Sequence, residues 1–227
     1  MLTPFYQDDL VRLYCGKCES LLPQLEVRAG LCLTDPPYGI NWNCDYAVWV
    51  KPSKKMQGGN KRRSYENIEN DEKLIDPTFL LKYPTVILWG ATYFLDYLGV
   101  GSLLVWHKRS SGFLADAEAA WMNRGGGVYV YTEAVEKMQN ERTHPTQKPV
   151  GLMKWCIDKA GGDGLILDPF AGSGTTLVAA KLLGRPSIGI EMNEKYCQMI
   201  VDRLNKPIPL FEREAEQTEL PLAATGI

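Results

Sequence analysis

The chain has 227 residues, 45% of them hydrophobic, which is enough for one globular domain with a sizeable core. Its formal net charge of −2 does not by itself indicate a protein that binds nucleic acid. The longest apolar stretch, residues 86–106, contains Asp96 and several glycines, which favours strand, helix and strand over a membrane span. Because Asp8 and Asp9 interrupt the start of the chain, we expect no signal peptide and a cytoplasmic protein.

The six cysteines do not follow the spacing of a zinc site. Cys15 and Cys18 form one C-x-x-C pair, but a second pair is missing and the only histidines are His107 and His144. We therefore expect no metal and no redox pair. Reduced, mostly buried thiols are the expectation for a protein of the cytosol.

The pattern of apolar residues predicts strands that alternate with helices. Strands are expected over residues 11–15, 30–34, 85–89, 102–106, 128–132, 164–167 and 187–190. Helices are expected over residues 19–25, 71–81, 92–98, 115–121, 149–159, 175–183 and 194–204. This alternation is typical of an α/β fold with a largely parallel sheet, in which ligands bind beyond the carboxyl ends of the strands. Asp35 and Gly172 each follow a predicted strand, so we expect them at one rim of the sheet.

One long segment, residues 41–70, has no core pattern and is locally basic. Positions 51–65 hold six basic residues and no acidic one, whereas the remainder of the chain has 19 basic and 27 acidic residues. The segment is either an arm that binds DNA phosphates or a solvated loop. The candidate DNA contacts are Lys54, Lys55, Lys61, Arg62 and Arg63. We expect one domain over residues 1–206 with a mobile basic insertion at 41–70, followed by a flexible acidic tail at 207–227.

The tetrapeptide Asp35-Pro36-Pro37-Tyr38 lies where a predicted strand opens into a loop. The prolines fix their φ angles and donate no N–H, so the carbonyl groups there are free to accept hydrogen bonds. The Asp35 carboxylate and the Pro36 carbonyl suit the two N–H groups of an exocyclic aryl amine, and the Tyr38 ring suits stacking on its base. An amine held in this way is pushed toward sp3 geometry, with its lone pair aimed at an electrophile. The alternative is a Pro-rich turn capped by Asp35.

A second motif covers residues 165–176, where a strand, a glycine turn and a helix start follow one another. Gly172 and Gly174 let a ligand approach the backbone, and the amino end of a helix favours a negative group. Glu191 ends the next predicted strand, a position from which an acid commonly binds ribose hydroxyls. Leu177 stands where a dinucleotide-binding motif has its third glycine, so S-adenosylmethionine is favoured over NAD.

The order and the residues of these motifs resemble those of the β class of the amino-DNA methyltransferases. Asp-Pro-Pro-Tyr comes first, and the segment His-Pro-Thr-Gln-Lys-Pro (144–149) then leads to Asp-Pro-Phe-Ala-Gly-Ser-Gly-Thr-Thr (168–176). The similarity extends over nearly all of residues 10–205. It implies a Rossmann-like S-adenosylmethionine methyltransferase fold, with a mostly parallel seven-stranded sheet, an antiparallel strand and a circularly permuted motif order.

The resemblance also implies the roles of single residues. Asp35, Pro36, Pro37 and Tyr38 would form the catalytic motif. The cofactor-binding residues would be Cys18, His144, Thr146, Lys148, Asp168, Phe170, Gly172, Ser173, Gly174, Thr175 and Glu191. Lys148 is expected to face the cofactor carboxylate; otherwise it is an ordinary surface lysine at a helix start. Lys17 stands where members usually have an aspartate that meets the adenine, and a lysine cannot accept a hydrogen bond, so backbone groups near Cys18 would replace it.

The function implied by the resemblance is methyl transfer from S-adenosylmethionine to the exocyclic N6 amine of adenine. The substrate would be double-stranded DNA with the target base flipped out of the duplex. Adenine is favoured because the Asp form of the motif is more usual in adenine enzymes, and cytosine N4 is the alternative. A methyltransferase of RNA or protein and an inactive DNA-binding relative stay open. Members of the class are often dimers and no segment here is long enough for a separate recognition domain, so we expect a homodimer.

Overall fold

A computed structural model describes residues 2–41, 71–109, 115–134 and 147–206 of the chain. Its strands are β1 (Tyr6–Gln7), β2 (Val11–Cys15), β3 (Leu31–Thr34), β4 (Thr85–Trp89), β5 (Ser102–His107), β6 (Ala117–Met122), β7 (Val128–Thr132), β8 (Ile166–Asp168) and β9 (Ser187–Glu191). Its α-helices are α1 (Cys18–Leu25), α2 (Val150–Ala160), α3 (Thr175–Leu182) and α4 (Glu194–Leu204). Within the described ranges the strands form one sheet in the order β1-β2-β9-β8-β3-β4-β6-β5-β7.

The centre of the sheet is parallel and covered on both faces. β2, β9, β8, β3 and β4 pair in parallel, and β3 and β4 are buried at every residue. Successive side chains of a strand point to opposite faces. Leu33 accordingly joins the cluster that contains α2 and α3, while Cys32 joins the cluster that contains α1. The α/β fold with a largely parallel sheet, inferred from the alternating elements, is confirmed.

The antiparallel strand is β6, which lies inside the sheet between β4 and β5. The seven strands from β2 to β5 in sheet order make up the expected seven-stranded sheet. Within the described residues two further strands extend it: β1 pairs antiparallel with β2, and β7 pairs parallel with β5. The mostly parallel, Rossmann-like architecture is therefore present, with an added strand at each edge.

Three helix predictions were wrong. Residues 115–121 are alanine-rich and favour a helix by propensity, but this segment pairs on both sides as β6, because tertiary context overrides propensity. Over residues 71–81 there is only a 3₁₀ turn, Pro77–Leu80, which the Asp76 side chain caps by accepting from the Thr78 N–H. Over residues 92–98 the helical part is the 3₁₀ turn Ala91–Tyr93. Of residues 92–98 only Phe94 is buried, and Leu95, in the middle of that predicted helix, is 68% exposed.

The parallel strands bring the two sequence motifs to one edge of the sheet. Asp35 directly follows β3, the Gly172 turn follows β8, and Glu191 ends β9. Because β3, β8 and β9 are parallel neighbours, their carboxyl ends meet at the same edge. This edge is where the candidate site lies.

Candidate active site

A cavity of about 790 Å³ opens at the carboxyl edge of the sheet. Its volume falls within the range of about 300–1,000 Å³ that is usual for small-molecule sites. Asp35 and Tyr38 line one part of it, and Gly172 and Glu191 line another. The expectation that the two motifs share one rim is therefore confirmed.

The glycine turn after β8 is shaped by backbone conformations that only glycine adopts without strain. Gly172 and Gly174 have φ angles of +51° and +73°, and a Cβ atom at Gly174 would lie 2.7 Å from Ile200 Cγ1. The Ser173 and Thr175 hydroxyls are 2.9 Å apart. Arg203 donates from Nη1 to the Ser173 carbonyl and, at 3.2 Å, to Thr175 Oγ1. Helix α4 thus holds the turn against the start of α3.

Glu191 closes the glycine turn from the neighbouring strand. Its Oε2 accepts the N–H of Gly172 and its Oε1 accepts the N–H of Asn193, both at 2.8 Å. The side chain is 8% exposed, and burial raises the pKa of Glu191 to about 7 against the lowering effect of these hydrogen bonds. Each carboxylate oxygen has more than one lone pair, so each can still accept from a ligand hydroxyl.

Asp168 joins the two motifs from beneath the cavity. Its Oδ1 accepts the Thr34 hydroxyl at 2.7 Å and the Phe170 N–H at 3.2 Å. The residue is 3% exposed, and burial raises the pKa of Asp168 to about 6. Thr34 immediately precedes Asp35, so this bond fixes the end of β3 against the end of β8.

The aromatic part of the cavity is built around Tyr38. Its hydroxyl donates to Asp35 Oδ1, and its ring stacks on Tyr93 with centroids 4.6 Å apart and planes at 12°. Burial, followed by the Asp35 charge, raises the pKa of Tyr38 well above its usual value, so the phenol is neutral. Gly90 has φ +75°, and a Cβ atom there would lie 2.1 Å from Tyr38 Cε1. The close approach of Gly90 therefore sets where the Tyr38 ring lies.

Four charged side chains from distant parts of the chain meet beside this ring. Lys148 Nζ donates to Asp35 Oδ2 and lies 3.3 Å from Glu118 Oε2, whose other oxygen is 2.5 Å from Lys108 Nζ. The Lys148 ammonium also lies 5.1 Å from the Trp89 ring centroid. Burial alone would lower the pKa of Lys148, but Asp35 and Glu118 outweigh it and raise the pKa. Burial would likewise raise the pKa of Glu118, yet Lys148 and Lys108 lower it.

These contacts decide between the two interpretations of Lys148. Its side chain is 7% exposed and paired with two carboxylates, so the alternative of an ordinary surface lysine was wrong. Sequence reasoning missed Tyr93, Lys108 and Glu118 as cavity residues. Glu118 was missed because residues 115–121 were predicted to be a helix. As part of β6, Glu118 faces the cavity beside the end of β5.

The remaining candidates are distributed as follows. Cys18 and Phe170 line the cavity, and burial raises the pKa of the Cys18 thiol to about 12. Lys17 also lines the cavity and precedes α1 without a side-chain capping bond. Several candidates lie outside the described residues: His144, Thr146, Lys54, Lys55, Lys61, Arg62 and Arg63.

The described ranges contain no group of three or more His, Cys, Asp or Glu side chains that could hold a metal ion. In the same ranges none of the helices combines the length and the apolar character that a membrane crossing requires.

A Rossmann-like sheet thus joins the Asp-Pro-Pro-Tyr loop and an acid-lined glycine turn in one cavity. Residues 105–202 match the family model described as DNA methylase. This match, over less than half of the chain, and the relatives below support an amino-DNA methyltransferase of the N6/N4 class.

Two curated relatives show the extent of the sequence similarity. Type II methyltransferase M2.MboI of Moraxella bovis is 43% identical over 83 residues, which is 36% of this chain and 30% of the relative. DNA adenine methyltransferase YhdJ of Escherichia coli (strain K12) is 42% identical over 81 residues, 35% of this chain and 28% of the relative. The matched part thus spans less than a third of the length of these relatives.

Two solved structures share the fold. The M1.HpyAVI–SAM complex superposes with a TM-score of 0.54 at 22% identity, covering 87% of this chain and 100% of that one. PvuII DNA methyltransferase, titled cytosine-N4-specific, has a TM-score of 0.55 at 16% identity, covering 92% of each chain. At these identities the likeness concerns the fold.

Proposed function

We propose that this protein transfers a methyl group from S-adenosylmethionine to the exocyclic N6 amine of adenine in DNA. The observation that carries the proposal is the single cavity in which the Asp35 loop and the Glu191 turn meet. One end of this cavity offers acceptors beside an aromatic ring, and the other offers an acid beside a glycine turn. A methyl donor at one end and a base amine at the other would then lie next to each other.

The residues of the glycine turn fit an adenosine-containing methyl donor. Glu191 lines the cavity with both oxygens already oriented by the N–H groups of Gly172 and Asn193, so it is preorganised to accept ribose hydroxyls. Phe170 would pack beside the methionine part, and backbone groups near Cys18 would meet the adenine. The role of Lys148 as counter-charge for the cofactor carboxylate stays a prediction, since its ammonium pairs here with Asp35 and Glu118.

The catalytic task of the chain is to hold the amine and remove its proton. When bound, S-adenosylmethionine supplies a sulfonium methyl group that the amine lone pair attacks, while the electron pair of the broken carbon–sulfur bond stays on sulfur. Asp35 and the Pro36 carbonyl would accept the two amine hydrogens, with Pro37 stiffening the loop and Tyr38 stacking on the base. Asp35 is also the carboxylate in position to accept the proton that the methylated nitrogen then loses. Catalysis is thus mainly positioning and electrostatics.

Adenine is the proposed base, and cytosine N4 is the second candidate. The Asp form of the tetrapeptide and the relative named as a DNA adenine methyltransferase favour adenine. The fold is shared with an enzyme titled cytosine-N4-specific, and both bases present an exocyclic aryl amine to the same acceptors. A base inside the duplex cannot reach such a cavity, so we propose that the target base is flipped out.

DNA would be held by the basic segment and by a second subunit. The proposed phosphate contacts, Lys54, Lys55, Lys61, Arg62 and Arg63, come from a stretch with no acidic residue. We also propose a homodimer, because pairing would enlarge the DNA-binding face of a 25.5 kDa chain. Light scattering tests this directly: twice the monomer mass is expected, and a monomer mass would contradict it.

The test of the proposed reaction uses purified protein and S-adenosylmethionine labelled at the methyl group. Unmethylated DNA, RNA and a protein mixture are each incubated with it, and the labelled DNA is digested to nucleosides and separated. We expect label in DNA as N6-methyladenine. N4-methylcytosine would establish the second candidate instead. Label in RNA or protein alone, or no label in any of them, would contradict the proposal.

A further inference from the structure

The Asp35 carboxylate, the proposed acceptor of the substrate amine, already has a partner on each oxygen. The Tyr38 hydroxyl donates to Oδ1 and the Lys148 ammonium donates to Oδ2. The Lys148 side chain is buried, and Lys148 is 113 residues from Asp35 in the sequence. A cation fixed on Asp35 neutralises the charge of the carboxylate that is to accept the amine hydrogens.

The same cation also opposes the reaction itself. Methyl transfer moves the positive charge of the sulfonium onto the amine nitrogen, so a charge develops next to Asp35. Like charges repel, and the repulsion is larger in a partly desolvated cavity than in water. Lys148 beside Asp35 would therefore raise the barrier unless its charge is moved away or neutralised.

Glu118 is placed to receive this cation. Its Oε2 is 3.3 Å from Lys148 Nζ, so the ammonium can pass from Asp35 to Glu118 by a small rotation of the lysine side chain. The other Glu118 oxygen is held 2.5 Å from Lys108 Nζ, which fixes the carboxylate in this direction. Glu118 lies in β6 opposite Trp106 of β5, so a paired strand supports the acceptor.

We propose that Glu118 is a positioning residue that takes the Lys148 ammonium from Asp35 when the substrate amine binds. Before binding, Lys148 holds the Asp35 carboxylate in place and neutralises it. After the exchange, Asp35 accepts the amine while Lys148 and Lys108 share Glu118. The cluster that takes part in the exchange has two acids and two bases, Asp35, Glu118, Lys108 and Lys148, so the exchange leaves their summed charge at zero.

The inference rests on the proposed methyl transfer and is tested by a double-mutant cycle. Glu118→Gln, Lys148→Gln and the double variant are compared with wild type by single-turnover transfer at saturating cofactor and saturating DNA. Because a hydrogen bond to a charged group is lost, Glu118→Gln should slow transfer by about 10- to 100-fold. Cofactor affinity, measured by calorimetry, and the KM for DNA should change little.

The double variant shows whether Glu118 acts through Lys148. If Glu118 acts by withdrawing Lys148, its replacement should have no further effect once Lys148 is Gln, so the double variant should transfer as fast as Lys148→Gln alone. An equal loss in both backgrounds would overturn the inference, as would a Glu118→Gln variant with wild-type turnover. A wild-type protein without transferase activity would instead refute the proposed function itself.

Two further measurements test the exchange, and the first does not depend on the folding of any variant. A structure of wild-type protein with DNA and a non-reactive cofactor analogue should show Lys148 Nζ bonded to Glu118 and separated from Asp35. Glu118→Asp keeps the charge but shortens the side chain by one methylene, and it should retain more turnover than Glu118→Gln. Lys148 still bonded to Asp35 beside the bound base would overturn the inference.

Discussion

Gly90 offers a sharp test of how the cavity positions Tyr38. Its φ of +75° lies in the left-handed region, and a Cβ atom there would lie 2.1 Å from Tyr38 Cε1 and 2.6 Å from Cζ. Gly90→Ala must therefore strain the backbone and displace the ring. The backbone costs about 1–2 kcal/mol, and the lost Tyr38–Tyr93 stack costs about 0.5–1.5 kcal/mol. We expect the free energy of unfolding to fall by about 1.5–3.5 kcal/mol as the sum of these effects.

Gly184→Ala is the matched control. Gly184 has φ +65°, but no atom lies within 4 Å of the added Cβ, so this variant reports backbone strain alone. Denaturant unfolding of both variants separates the ring displacement from the strain. Single-turnover methyl transfer should fall by about 100-fold for Gly90→Ala, since a misplacement of about 1 Å can cost that much, and stay near wild type for Gly184→Ala. Equal transfer rates for the two variants would refute the role given to Tyr38.

Three further predictions concern pH, the cofactor and DNA. Burial raises the pKa of Asp168 to about 6 and of Glu191 to about 7, so the folded state binds these protons more tightly than the unfolded chain. The free energy of unfolding should therefore rise as pH falls from about 7 to about 4.5. Thermal unfolding should show a smaller rise for Asp168→Asn than for wild type. A steady loss of stability over this pH range would contradict the prediction. Glu191→Ala should weaken S-adenosylmethionine binding by about 1.5–3 kcal/mol in calorimetry, with DNA affinity unchanged, and unchanged cofactor affinity would exclude the ribose contact. Charge reversal at Lys61, Arg62 and Arg63 should weaken binding to all DNA sequences and lower the salt slope by roughly one unit per lost contact, whereas equal slopes would show that these residues do not touch phosphate.

The sequence was most informative where a local signal has one physical solution. The helices predicted over residues 149–159 and 194–204 are present as α2 and α4, and Asn193 caps α4, since its Oδ1 accepts the N–H groups of Lys195 and Tyr196. The buried strand over residues 85–89 was predicted with the bounds it has as β4. The motif residues Asp35 and Gly172 were correctly expected at one rim, because both follow strands of a parallel sheet.

The sequence was least informative where long-range pairing decides the structure. Nothing local in an alanine-rich segment shows that it will be a strand with a partner on each side, as β6 is. The contact of Lys148 with Asp35 and Glu118 joins segments far apart in the chain, and no spacing rule connects them. The stacking of Tyr93 on Tyr38 likewise depends on the turn that Gly90 allows.

The position of Lys148 changes what is expected of the Asp35 substitution. From sequence alone, Asp35→Ala is expected to leave folding nearly intact. In the structure its loss leaves the buried Lys148 ammonium with Glu118 as its remaining carboxylate partner. Removing one partner of a buried ion pair is destabilising, so we now expect a measurable loss of stability along with the loss of activity.

The central claim is that the Asp35 end of the cavity holds the amine that receives the methyl group. The most direct test compares wild type, Asp35→Ala and the exposed-site control Asp163→Ala in transfer of a labelled methyl group from S-adenosylmethionine to DNA. All three proteins should bind the cofactor, and wild type and Asp163→Ala should methylate DNA equally. Asp35→Ala should be slower by at least about 100-fold, the lower end of what a positioned proton acceptor contributes. Near-normal transfer by a folded Asp35→Ala variant would contradict the assignment of this site.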